Sequence, residues 1–177
     1  MKKIFTLLAV AAMAVSANAE VQTIEVEVTW PMAVANQEPV LNEDGTPAMN
    51  EDGTPQMKTV YANALTPAIT AGCDAYITAG EPVLGANITW GNPRGINGEA
   101  FALIQPTDKV NEITEGHTVS FKFTVKEGYT FEPTAFKYLG SVIGTDGGNY
   151  NLDYTWNGNT LPIQEGFHPN RNNEANN

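Results

Sequence analysis

Apolar and polar residues alternate with a period of two in three segments of this chain, and that pattern sets the expected architecture. In the segment Glu20 to Trp30, Ile24, Val26, Val28 and Trp30 fall on one face and Thr23, Glu25, Glu27 and Thr29 on the other. Such alternation predicts a strand with one buried face, ended here by Pro31. Val119, Phe121, Phe123 and Val125, set against Ser120, Lys122, Thr124 and Lys126, give the strongest strand signal. Tyr150, Leu152, Tyr154 and Trp156 repeat the pattern against Asn151, Asp153 and Thr155. Further strands are expected over Lys58 to Ala62, Ala68 to Ala79, Pro82 to Trp90, Glu99 to Gln105 and Thr134 to Ile143, with Glu132-Pro133 marking the entry to the last. Met32 to Val40, Gly91 to Gly98 and Pro106 to Gly116 lack a period and read as loops. Lys126-Glu127-Gly128 and the glycine-rich Gly144 to Asn149 read as turns. No segment after the N-terminus has a helical period. The expected class is all-β, an antiparallel β-sandwich of jelly-roll or immunoglobulin-like type.

One segment departs from alternation by repeating itself. Asn42 to Met49 (NEDGTPAM) is followed directly by Asn50 to Met57 (NEDGTPQM). Asp-Gly followed by Thr-Pro is turn chemistry, and two eight-residue copies are too few for a solenoid. A calcium loop is the competing reading, because Asn42, Asp44 and Gly45 mimic part of an EF-hand, with Glu51 seven residues after Asp44. The first ligand position would be Val40, and the prolines deny the flanking helices, so a duplicated surface loop over residues 42–57 is preferred.

The N-terminus changes the picture of location. Lys2 and Lys3 precede an apolar run from Ile4 to Val15, and Ala17-Asn18-Ala19 has the small residues of a cleavage site. Residues 1–19 therefore read as a secretory signal peptide. The run is shorter than the about 20 residues that span a bilayer, so no membrane span is expected after cleavage. The expected location is periplasm, outer surface or extracellular space, with the β-sandwich over residues 20–166. Phe167 to Asn177 (FHPNRNNEANN) is polar and reads as a disordered tail or a truncation point, with truncation preferred; the sandwich would then be incomplete at its C-terminus.

Charge narrows the partners. The net charge is −11, and loss of Lys2 and Lys3 takes it to −13, seven basic residues against twenty acidic. Nucleic acid and anionic membrane surfaces are disfavoured by repulsion. A polysaccharide or a surface protein remains as partner. Cys73 is the only cysteine, so an internal disulfide is impossible, and a small buried residue in a strand is its expected role.

Candidate chemistry is sparse. Nucleophilic catalysis needs a serine or cysteine beside a base. After the signal peptide the chain offers Ser120, Ser141 and Cys73, with His117 and His168 as the imidazoles, and Leu139 to Ile143 lacks the nucleophile-elbow spacing. Two histidines and one cysteine show no zinc-ligand spacing. Calcium at Asp146, Asn149 and Asp153 is chemically reasonable, but a turn explains these residues as well. The expectation is no enzyme, no catalytic residue and no metal or other cofactor. Trp30, Trp90 and Trp156, with Tyr150 and Tyr154, can stack on sugars only if exposed, and alternation places them toward a core. Tyr154 and Trp156 lie nearest a strand end and are the candidate ligand-binding residues.

The segment Thr118 to Thr160 carries a resemblance. Gly-Tyr-Thr-Phe-Glu-Pro-Thr at Gly128 to Thr134, followed by Gly-Thr-Asp-Gly-Gly at Gly144 to Gly148, is similar to a module of secreted proteins from gut Bacteroidales. The resemblance implies an accessory β-sandwich, sometimes beside polysaccharide-degrading domains. Its motifs are structural, and it implies no functional residues. Three functions follow as expectations: a non-catalytic exported binding module with a glycan association, a structural or adhesion segment of the cell surface, and the leading accessory part of a larger carbohydrate-active enzyme.

Overall fold

The computed structural model describes residues 5–13, 22–96, 98–108, 116–138 and 149–167. The fold is all-β and antiparallel, and among the described residues the only helical element is a 3-10 turn at Cys73–Ala75. Strands β1 (Phe5–Met13), β2 (Gln22–Trp30), β3 (Met32–Pro39), β4 (Met57–Ala64) and β5 (Ala68–Ile69) come first. They are followed by β6 (Ile77–Ala79), β7 (Val83–Leu84), β8 (Ile88–Ile96) and β9 (Glu99–Pro106). The last five are β10 (Val119–Ser120), β11 (Phe123–Val125), β12 (Tyr129–Lys137), β13 (Tyr150–Trp156) and β14 (Asn159–Phe167). Among the described residues, pairing gives one four-stranded sheet, β12-β1-β2-β5, and five two-stranded ladders, β3-β4, β6-β11, β7-β10, β8-β9 and β13-β14. This pairing alone assigns neither a jelly-roll nor an immunoglobulin strand order.

The core forms where alternation in β2 meets the β6-β11 ladder. Val26, Val28 and Trp30 are buried with Cys73 and Ile77, and Phe121, Phe123, Phe131 and Phe136 pack around them. Trp30 is 1% exposed, meets Phe121 edge-on at 5.3 Å, and donates its indole N–H to the Gly80 carbonyl at 2.8 Å. A buried indole needs such a partner, because an orphaned N–H or carbonyl costs about 1–3 kcal/mol.

Several elements differ from the sequence expectation, each for a visible reason. Met32 to Val40, expected as loop, is strand β3 over Met32–Pro39, paired along its whole length with β4. Ala33 at its root is buried, but the outer residues Ala35 to Pro39 are all exposed, so that part of β3 is held by the ladder and not by burial. Gly91 to Ile96, also expected as loop, continues β8, and a register shift between Gly91 and Arg94 absorbs Asn92-Pro93. The single strand expected over Ala68 to Ala79 is broken into β5, the 3-10 turn and β6, so Cys73 is buried in a turn and not in a strand. Pro82 to Trp90 is likewise divided between β7 and the start of β8. Val119 to Val125 is split into β10 and β11, which pair with different partners. Pro133 lies inside β12 instead of at its entry, beside a register shift at which Leu8 of β1 pairs with Ala135 and Ala9 with Pro133. Asn159–Phe167 forms β14, an unexpected strand joined to β13 by Asn157-Gly158, both at positive φ as a tight hairpin turn requires.

Phe5–Met13, inside the expected signal peptide, occupies the position between β2 and β12, antiparallel to both. Cleavage after Ala19 would remove that strand and leave β2 and β12 facing an open position. The expected turn at Gly144 to Gly148, the residues Leu139 to Ile143 and the tail from His168 lie outside the described residues.

Candidate functional site: a three-way junction at the tip of a β-arm

The chain leaves the core at Trp30 through a kink. Met32 has φ 65, and the Ala33 N–H donates to the Pro31 carbonyl at 2.8 Å, closing a strained γ-turn. From there β3 runs out and β4 returns, forming an arm. Its root rests against β8, where Tyr61 lies so close over Gly95 that a Cβ there would fall within 2.0 Å of the tyrosine oxygen. Beyond the root the arm is surrounded by solvent: from Ala35 to Thr59 every residue except Val40 and Ala48 is exposed.

The duplicated sequence builds the tip. In the first copy the Thr46 N–H and hydroxyl both donate to Asp44 Oδ1, at 3.0 and 2.6 Å, and the Gly45 N–H donates to the Asn42 carbonyl at 3.0 Å. The second copy repeats this with Thr54, Asp52, Gly53 and Asn50, at 2.9, 2.6 and 3.0 Å. Gly45 and Gly53 take φ 82 and φ 80, the left-handed conformation that closes each turn. The threonine hydrogen bonds favour the charged carboxylate, so the Asp44 and Asp52 carboxyls are held below the usual aspartate range. Each copy is thus a miniature hairpin closed by its own hydrogen bonds.

Three backbone hydrogen bonds join the copies to the arm in a ring. The Val40 N–H donates to the Gln56 carbonyl at 2.8 Å, the Gln56 N–H to the Ala48 carbonyl at 2.8 Å, and the Ala48 N–H to the Val40 carbonyl at 2.7 Å. Three hairpins radiate from this ring: the arm itself and the two copies. Opposite pairs around it are Pro39↔Met57, Leu41↔Pro47 and Met49↔Pro55. The sequence reads Pro-Val-Leu, Pro-Ala-Met and Pro-Gln-Met at these three corners. A duplication in the sequence has become a pseudo-threefold junction in space.

Alternation then decides what the junction presents. Proline and the aliphatic residue of each corner share one face, and the central residue points to the other. The half-buried Val40 and Ala48 lie on the second face. On the first, Leu41, Met49 and Met57 are 57%, 54% and 52% exposed beside three exposed prolines. Between Asn42 and Met57 the tip carries Glu43, Asp44, Glu51 and Asp52 and no basic residue.

The aromatic candidates sit elsewhere. Tyr154 and Trp156 share a face of β13 and are half-buried. The Trp156 ring stacks on Phe123 at 6.4 Å and on Phe131 at 5.8 Å, and Phe123 and Phe131 are 4.7 Å apart. Tyr154 lies across from the exposed Leu161 of β14, and partial burial raises its hydroxyl pKa. Tyr150 donates a hydrogen bond to Tyr138, and burial raises its pKa as well. Trp90 is half-buried on β8.

Other candidate chemistry stays scattered. His117 Nε2 lies 2.6 Å from Asp108 Oδ1, a pair that the sequence reading missed because Asp108 falls in a polar connection. The buried Cys73 thiol contacts the Glu25 carbonyl at 3.9 Å, on a different element. Among the described residues no group of three or more His, Cys, Asp or Glu side chains is placed to hold a metal ion. Asn149 and Asp153 are exposed, and Asp146 lies outside the described residues. No described helix is long and apolar enough to cross a membrane. No family model, curated protein or solved structure matches this chain.

Proposed function

We propose that this chain is an exported, non-catalytic interaction module, a β-sandwich that displays the β3-β4 arm to a protein on the cell surface or in the cell envelope. One observation carries the reading: from Ala35 to Thr59 every residue of the arm except Val40 and Ala48 is exposed, yet its tip is tied by its own hydrogen bonds and holds three exposed aliphatic side chains. An element that buries so little adds almost nothing to the core, and exposed apolar clusters mark contact sites. The structural or adhesion function expected from sequence is the form of the reading that this supports best.

The glycan association is the second reading, and it rests on Tyr154 and Trp156. Trp156 already stacks on two phenylalanines, which occupies ring surface that a sugar would use. A place at the front of a larger carbohydrate-active enzyme is compatible with either reading.

One experiment separates them. Labelled protein is added to envelope material before and after protease treatment, and before and after periodate oxidation of its sugars. Binding that protease abolishes is the expected result. Binding that survives protease, and is lost on periodate or in Trp156→Ala, would replace the protein partner with a glycan. Absence of binding to any of the preparations would remove the interaction reading altogether.

A further inference from the structure

We infer that the proline-aliphatic face of the arm tip docks onto a protein surface with an apolar centre framed by lysine and arginine side chains. This rests on the reading of the chain as an interaction module and specifies its partner. Pro39, Leu41, Pro47, Met49, Pro55 and Met57 come to one face because the pairs Pro39↔Met57, Leu41↔Pro47 and Met49↔Pro55 close around one ring. Direct pairing puts both members of each pair on the same side, and alternation carries that side across each corner. Six apolar residues thus converge, although they span nineteen positions of sequence.

The face is also preorganised. Each miniature hairpin is tied by an aspartate accepting two hydrogen bonds from one threonine, and each corner carries a proline whose φ is already fixed. A surface ordered before binding loses little conformational entropy on docking. Methionine at two corners leaves it able to adapt to the partner's contour.

Charge selects the occupant. Four carboxylates flank the apolar face between Asn42 and Met57 with no basic residue among them, and the whole chain carries −11. Two such faces brought together would confront like charges, which opposes a second copy as partner. A basic rim around an apolar patch offsets that charge and steers the encounter.

The test selects binders to the full-length protein from a displayed library of random peptides, and measures the synthesised winners in solution. Peptides enriched in alternating aliphatic and Lys/Arg residues are expected. Their affinity should fall at least about tenfold for the triple variant Leu41→Ser, Met49→Ser, Met57→Ser, whose sites are exposed and whose fold should be unchanged by circular dichroism. It should also weaken with added salt, and that salt dependence should flatten in Glu43→Lys, Glu51→Lys. The inference is overturned if no peptide is enriched, if the winners are acidic or uncharged, or if they bind the triple variant equally well. A dimer that forms in the wild type and dissolves in the triple variant would assign the face to a second copy instead. Protease-sensitive envelope binding that the triple variant retains would sink the tip as the contact while leaving the interaction module standing.

Discussion

Deletion of Ala48 to Pro55 removes one copy of the duplication and closes Pro47 directly onto Gln56. The geometry of the ring makes the outcome specific. Pro39↔Met57 and Leu41↔Pro47 are both retained, and the Val40 N–H keeps its bond to the Gln56 carbonyl. The Gln56 N–H, which donated to Ala48, then faces the Val40 carbonyl that Ala48 has vacated. The three-way junction collapses to a plain hairpin in the same register. The ring's three hydrogen bonds become two, a loss of about 0.5–1.5 kcal/mol. Against that, the connection between Val40 and Gln56 shortens from fifteen residues to seven, which gains about 0.7 kcal/mol of closure entropy. The two effects offset to within about 1 kcal/mol, equivalent to a Tm change of about 2–4 °C for a chain of this size. Thermal unfolding followed by circular dichroism reads this directly. A fall of more than about 10 °C, or loss of the β3-β4 cross-strand contacts by NMR, would refute the idea that each copy is a closed unit inserted at a hairpin tip.

Other outcomes follow from the same contacts. On acid titration the amides of Thr46 and Thr54 should shift together, with a midpoint below that of an ordinary aspartate, because Asp44 and Asp52 are held in the charged form. A lowered folded-state pKa contributes stability above the unfolded value and loses it as pH falls through the folded one, so the turns should loosen only at the acid end. In the core, Trp30→Ala should cost about 3–5 kcal/mol in denaturant unfolding. Trp30→Phe should cost less, while leaving the Gly80 carbonyl without its donor.

The parts of this fold legible in the sequence are those where burial imposes the pattern. β2 and β13 show clean alternation because one face of each meets aromatic and aliphatic neighbours, and both lie where that alternation places them. β3 and β14 were not legible for the opposite reason. Their residues are mostly exposed, so nothing selects an apolar face, and their order comes from pairing with β4 and β13. The second half of β8, from Gly91 to Ile96, was hidden by Gly91 and Pro93, which usually end strands but here sit at a register shift between Gly91 and Arg94. Phe5–Met13 has an apolar run that suits a signal peptide and a buried strand equally, and period alone does not separate them.

The same division holds for the candidate site. Asp-Gly-Thr-Pro announced two turns correctly, since local hydrogen bonds from Thr46 and Thr54 make them. The ring that joins them depends on Val40, Ala48 and Gln56, residues with no turn preference, spaced by the length of the repeat. Trp156 was readable as a residue of a strand face, but its stacking on Phe123 and Phe131 comes from segments more than twenty residues distant in sequence. Chemistry written in local spacing was visible, and chemistry assembled by pairing was not.

The most direct measurement is site-specific photo-crosslinking of the protein on intact cells, with a benzophenone side chain at Met49 in one strain and at Ile163 in another. Both positions are exposed and aliphatic, at 54% each, so they differ in place and not in reactivity. A docked arm tip should give one protein adduct from position 49, none from position 163, and loss of the adduct when Glu43→Lys and Glu51→Lys are added. Equal crosslinking from both positions, or an adduct at position 163 alone, would contradict it.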